Sequence, residues 1–181
     1  MQYWKRLDLD NWELIAEKTL DYIKNHTTLL DQSTFKGPFN PFNTAHFISE
    51  VPELAQSFAK HGLHYEAANV YVMWANEQSF PHKDYTDSIG RINIPILNCA
   101  GSSTIFYSNL QGRRVVLPTG APFYMTMNRK SLIEVGGIEI NQPTIIRICE
   151  GHDVILPNNM PVPRITLTVS TVPDCGLLLD D

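Results

Sequence analysis

The segment Pro81-His82-Lys83-Asp84 sets an imidazole and a carboxylate two positions apart. On extended backbone, residues i and i+2 share a face. His82 and Asp84 can therefore aim a nitrogen and an oxygen at one point. The pair alone says little, because His-x-Asp arises by chance and a solvated loop pair is its default reading. Gly151-His152-Asp153 offers a second imidazole between two apolar runs, Thr144–Cys149 and Val154-Ile155-Leu156. Asp153 adjoins it, but on a strand its side chain points to the opposite face, which leaves Asp84 as the better carboxylate. Further on, Arg164-Ile165-Thr166-Leu167-Thr168-Val169-Ser170 alternates strictly between polar and apolar. If Ile165, Leu167 and Val169 pack on one side, Arg164 and Thr166 share the other, and in a closed or narrow roll that side is a cavity.

Two histidines and one carboxylate are the ligand set of the facial triad that holds non-haem Fe(II). Such a triad leaves three coordination positions open. A bidentate acid takes two and O2 the third. An anionic co-substrate then needs a cation deeper in the pocket. Arg164 can grip a carboxylate with two parallel hydrogen bonds, and the Thr166 hydroxyl can add another.

The elements that must position these groups fall into a helical front and a strand-rich back. Residues 10 to 25 read as an amphipathic helix with Asp10 as N-cap. Residues 31 to 49 read as loop, since Gly37-Pro38-Phe39-Asn40-Pro41-Phe42-Asn43 carries two prolines. A second helix is expected from Pro52 to His61, ending at Gly62. Strands are expected at Glu66–Trp74, Ile89–Leu97, Ser103–Tyr107, Val115–Thr119, Phe123–Met127, Ser131–Val135, Thr144–Cys149, Asp153–Leu156 and Arg164–Ser170. Many short strands punctuated by glycine, proline and asparagine indicate a β-sandwich, barrel or jelly roll. The expected organisation is a single domain: a helical support and loop over 1–64, a strand core over 65–170 and a C-terminal tail over 171–181.

Composition bounds the function. The chain has 181 residues, 43% hydrophobic and 18% charged, which is the make-up of a globule rather than a disordered or fibrous chain. Its formal net charge of −5 argues against a general nucleic-acid binder. No apolar run reaches the ~20 residues of a membrane helix, and the start Met1-Gln2-Tyr3-Trp4-Lys5-Arg6 lacks the apolar stretch of a secretory signal. Three widely spaced cysteines, Cys99, Cys149 and Cys175, form no disulfide framework and no zinc pair, and fit reduced thiols in a cytoplasm. His26, His46, His61 and His64 lack a second partner at ligand spacing and read as surface or helix-end residues.

The ordered set His82-x-Asp84, His152 and Arg164-x-Thr166 resembles the Fe(II)- and 2-oxoglutarate-dependent oxygenases. The segment Arg91-Ile92-Asn93-Ile94-Pro95-Ile96-Leu97-Asn98-Cys99, with Ser103–Tyr107 after it, is similar to small phage and bacterial members related to the aspartyl/asparaginyl β-hydroxylase and prolyl hydroxylase groups. The resemblance covers about residues 65 to 170. It implies a double-stranded β-helix, a cupin-like jelly roll. His82-x-Asp84 would end the second core strand, His152 would lie on the seventh and Arg164 would open the eighth. It implies Fe(II) on His82, Asp84 and His152, with 2-oxoglutarate as co-substrate and its distal carboxylate on Arg164 and Thr166. O2 would be the oxidant and hydroxylation of a C–H bond the outcome. Arg91, nine positions after His82, occupies the place where β-hydroxylase-like members carry an arginine that contacts the co-substrate; an exposed strand-start arginine is the alternative. Asn98 is either a polar anchor in the cavity or a strand-end hydrogen bonder. Asp84 departs from the β-hydroxylases, which lack the carboxylate, and from the halogenases, which replace it with a small residue, so hydroxylation-type chemistry is expected. The primary substrate is open, with a protein or amino-acid side chain favoured by the resemblance, and the expected setting is the cytoplasm of a bacterium or phage-infected cell. A catalytically silent jelly-roll binding module, or a cupin-type metalloenzyme that does not use 2-oxoglutarate, stands as the alternative.

Overall fold

The computed structural model describes residues 1–35, 37–74, 80–84, 86–116, 122–126 and 128–180. In chain order the elements are β1 (Trp4–Arg6), α1 (Trp12–His26), β2 (Phe39–Pro41), α2 (Thr44–Glu50), α3 (Pro52–Ala59), β3 (His64–Met73), β4 (His82–Asp84) and β5 (Gly90–Leu97). There follow β6 (Ser103–Tyr107), β7 (Arg113–Val116), β8 (Pro122–Met125), β9 (Glu134–Ile138), β10 (Thr144–Arg147), β11 (Gly151–Ile155) and β12 (Arg164–Val172).

The strands form two antiparallel sheets of six, ordered β1-β10-β5-β12-β3-β2 and β7-β8-β4-β11-β6-β9. From β3 onward, leaving out the β7–β8 pair, the strands pass between the two sheets in the order of a double-stranded β-helix: β3, β5, β10 and β12 in one sheet, β4, β6, β9 and β11 in the other. The mainly β jelly roll expected from the strand count is the fold of this chain.

The alternation of β12 decides where everything sits. Ile165, Leu167 and Val169 are fully buried and pack with Ile92, Ile94 and Ile145 against Ile15, Ile23, Leu54 and Phe58 of the helices. That apolar layer fixes the outer face of the first sheet, so the polar partners of each strand turn inward. β5 lies between β10 and β12 although Pro95 has no N–H to give to a ladder. The irregularity this requires is present: the register between β12 and β5 shifts at Thr166, which pairs with Pro95.

Several expectations change at the element ends. The stretch 31–49 is not all loop. β2 pairs with the edge of β3, where Pro41 is tolerated, and α2 starts because the Asn43 side chain accepts from the His46 N–H at 3.1 Å. Asp10 does not cap α1; Asn11 stands at that end in the left-handed conformation (φ 55°), and Asp10 instead pairs with Lys60. The strand expected at Ser131–Val135 is Glu134–Ile138, preceded by a 3-10 turn at Arg129–Ser131. Parts of two expected strands, residues 117–119 and 127, lie outside the described residues. After β12 the chain makes a further 3-10 turn, Cys175–Leu179, held down by Asp174, whose carboxylate accepts from the N–H groups of Ile89, Gly90 and Gly176.

Candidate functional site

β4 and β11 are neighbours in the second sheet, and His82 pairs directly with His152. Asp84, two residues along β4, turns to the same face. One ligand atom from each of His82, Asp84 and His152 lies within 4.8 Å of the others, so the three residues meet as the sequence expects. At the start of β11, Gly151 leaves room for Leu110 of the segment after β6, since a Cβ there would meet the Leu110 Cβ at 2.6 Å.

Each imidazole is held through its inner nitrogen. His82 Nδ1 lies 2.7 Å from the Phe80 carbonyl oxygen, and His152 Nδ1 lies 3.0 Å from that of Glu150. A carbonyl only accepts, so Nδ1 carries the hydrogen and Nε2 presents a lone pair. The ring centroids stand 4.4 Å apart, and Phe123 packs edge-on against His82 at 5.1 Å. Burial, together with the neighbouring His152, pushes His82 down to about 4. Burial also lowers His152 and raises Asp84, against the opposing pull of His82 and Arg91 on Asp84. Near neutrality both histidines are therefore uncharged and available as ligands. The donor set, two oriented neutral imidazoles and one buried carboxylate, fits a divalent transition-metal ion.

The triad opens into a cavity between the sheets. Arg164, Thr166, Thr168, Asn93 and Tyr71 line one wall, and Ile140, Ile146, Ile148 and Val154 form much of the apolar remainder. Arg164 is 2% exposed. Its Nε donates to Ser102 Oγ at 2.9 Å and one terminal nitrogen donates to Thr166 Oγ1 at 3.1 Å. No carboxylate pairs with it among the described residues, and burial lowers its pKa from the ordinary arginine value. A buried guanidinium held by hydroxyls alone is chemically suited to bind an anion.

Arg91 and Asn98 sit elsewhere. Arg91 donates to the Gly90 carbonyl at 3.2 Å, and its charge acts on Asp84, but it does not line the cavity. Asn98 follows β5 in the left-handed conformation (φ 51°) and donates to the Pro163 carbonyl at 3.0 Å, which ties that turn to the residue before Arg164. Asp153 points away from the cavity as expected and pairs with Arg129 at 2.5 Å. Sequence reasoning missed Asn93, Thr168 and Ser102. The signal for Asn93 was available: Arg91, Asn93 and Pro95 alternate with Ile92 and Ile94 as the polar residues of β12 alternate with its apolar ones. His26, at the end of α1, and His46 are exposed, as the sequence expects of surface or helix-end residues; their rings lie 4.9 Å apart, with His46 Nδ1 3.0 Å from the Tyr22 hydroxyl.

No protein-family model matches the sequence, and no curated protein matches it. Among solved structures the chain is similar to a non-heme monooxygenase, ThoJ in complex with nickel, with a TM-score of 0.51 at 12% identity, over 93% of this chain and 72% of that one. It is also similar to AviO1 from Streptomyces viridochromogenes Tue57 (TM-score 0.48, 11% identity, 93% and 88% covered). A third is a Pseudomonas putida prolyl-4-hydroxylase (TM-score 0.42, 9% identity, 93% and 92% covered). At 12% identity the likeness to the first shows a shared fold.

Proposed function

We propose that the chain is a non-haem Fe(II)- and 2-oxoglutarate-dependent dioxygenase that hydroxylates a C–H bond. One observation carries this reading: the convergent His82, Asp84 and His152 share a cavity with a buried arginine that has no carboxylate partner among the described residues. His82 and His152 would hold the ion through Nε2 and Asp84 through a carboxylate oxygen. Bound there, Fe(II) with 2-oxoglutarate and O2 supplies an oxidant for C–H bonds, the co-acid leaving as succinate and CO2. Arg164 and Thr166 orient the acid by its distal carboxylate. The isoleucine wall excludes water from the reacting end. The primary substrate in this reading is a protein or amino-acid side chain, or a small metabolite, met in a bacterial or phage-infected cytoplasm. No helix among the described residues is long and apolar enough to cross a membrane.

The test is co-substrate turnover. Purified protein given Fe(II), ascorbate, O2 and 2-oxoglutarate should form succinate slowly without a primary substrate, as followed by proton NMR. His152→Ala should form none above a metal-free blank. Equal succinate from both proteins would overturn the ligand assignment. Iron binding that is indifferent to 2-oxoglutarate would favour a cupin-type enzyme, and failure to bind either a silent binding module.

A further inference from the structure

We propose that Asn93 is a binding residue for the co-substrate, its side-chain amide donating to the carboxylate at the 2-oxo acid end, beside the metal. The inference rests on reading the cavity as a 2-oxoglutarate site. Asn93 lies on β5 and is 7% exposed. Ile92 and Ile94 on either side pack outward against the helices, so Asn93 turns into the cavity, whose wall it forms. Thr168, its partner across the ladder, donates to Asn93 Oδ1 at 2.8 Å. In this arrangement Oδ1 is the paired end of the amide and Nδ2 the free one. Nδ2 is buried and has no acceptor among the described residues. A buried donor left unpaired is destabilising, whereas an apolar side chain of similar size carries no such penalty. The group is satisfied once a ligand oxygen meets it.

Position says which oxygen. Ile148 links the start of β5 to Asp84: its N–H donates to the Ile89 carbonyl at 3.0 Å and its carbonyl accepts from the Asp84 N–H at 3.0 Å. Leu97, four residues after Asn93, pairs with Ile165, next to Arg164. Asn93 therefore stands toward the metal-ligand end of the strand and Arg164 toward the other. A five-carbon dicarboxylate anchored on Arg164 by its distal group presents its oxo acid end to His82, Asp84 and Asn93.

The experiment is calorimetric titration of 2-oxoglutarate into Co(II)-loaded protein without O2. Asn93→Asp keeps the acceptor for Thr168 and the side-chain shape but replaces the donor with a charge that repels a carboxylate. Its Kd should rise by more than about tenfold, the scale of a charge-assisted hydrogen bond. Asn93→Ala should raise Kd about tenfold and leave the Co(II) affinity of the acid-free protein within a factor of about two. The penalty should persist for 2-oxobutanoate, which keeps the oxo acid and lacks the distal carboxylate, while Arg164→Met should cost nothing with that probe. Wild-type-like 2-oxoglutarate affinity in both Asn93 variants would overturn this inference and leave the proposed function standing. A penalty that vanishes with 2-oxobutanoate would overturn it as well, by placing Asn93 at the distal end. A wild-type protein that binds no 2-oxoglutarate with metal present would overturn both.

Discussion

Strand β12 presents two faces that are equally dry and chemically opposite. Toward the helices, Ile165, Leu167 and Val169 are fully buried in an apolar layer. On the opposite face, Arg164, Thr166 and Thr168 line the cavity and Ser170 follows them; the four are only 2–7% exposed, yet every one is polar. Burial of apolar side chains stabilises a fold by about 1.5–3 kcal/mol each. Burial of polar groups does not, and a buried cation without a counter-charge opposes folding. The outer face thus holds the sheet to its helices. The inner face carries the guanidinium and hydroxyls on which the proposed binding of an anion depends. The same division runs through β5, with Ile92 and Ile94 outward and Asn93 inward, and through β10, where Ile145 faces the helices and Ile146 the cavity.

The division can be broken from either side. The largest effect is expected from His152→Ala, which removes one of the three proposed metal ligands. Co(II) affinity should fall by at least about 100-fold, while circular dichroism and the cooperative melt remain those of a folded chain. Leu167→Ala should do the reverse. Loss of a fully buried leucine should lower stability in urea by about 2–5 kcal/mol and leave Co(II) affinity unchanged. A metal defect in that variant would mean that the two faces are not separable. Arg164→Met should weaken 2-oxoglutarate binding about 10–100-fold. Its melting temperature should match or exceed that of the parent, because the burial penalty of the guanidinium is gone; a marked fall would show that Arg164 serves the fold rather than a ligand.

The smallest expected effect concerns pH and the metal-free protein. Burial lowers His82 to about 4 and also lowers His152, whereas the unfolded histidines titrate near about 6.5. Below that value the unfolded chain takes up two protons that the folded chain resists. Asp84, raised by burial, acts in the other direction but accounts for one proton only. Stability present above pH ~6.5 should therefore decline as pH falls toward about 4, on the order of 1–3 kcal/mol, as read from urea melts at successive pH values. Stability that climbs over that interval would contradict the burial of the two rings.

Much of this was legible in the sequence because period-2 alternation reports burial directly. The strict alternation of 164–170 puts Arg164 and Thr166 together on the face opposite Ile165 and Leu167, and the i, i+2 spacing of His82 and Asp84 puts both on one face. What was not legible depends on partners far along the chain. β2 is a strand only because the edge of β3 accepts it. The start of α2 is different: its Asn43 cap is a local signal, obscured by the two prolines just before it. Asn98 carries the polarity of a ligand-binding residue, but its left-handed turn and its bond to Pro163 are tertiary facts that no local pattern announces. Asn93, by contrast, obeys the rule already applied to β12: it stands between Ile92 and Ile94 on a strand the sequence itself places at Ile89–Leu97.

The most direct test is an anaerobic optical titration with Fe(II) and 2-oxoglutarate. The proposed binding of one ion by His82, Asp84 and His152, with the acid held by Arg164, predicts a weak visible charge-transfer band that develops only when both are present. The band should be absent in His152→Ala and should demand more acid in Arg164→Met. A wild-type spectrum that stays flat with both additions, or a band that persists without His152, would contradict the account.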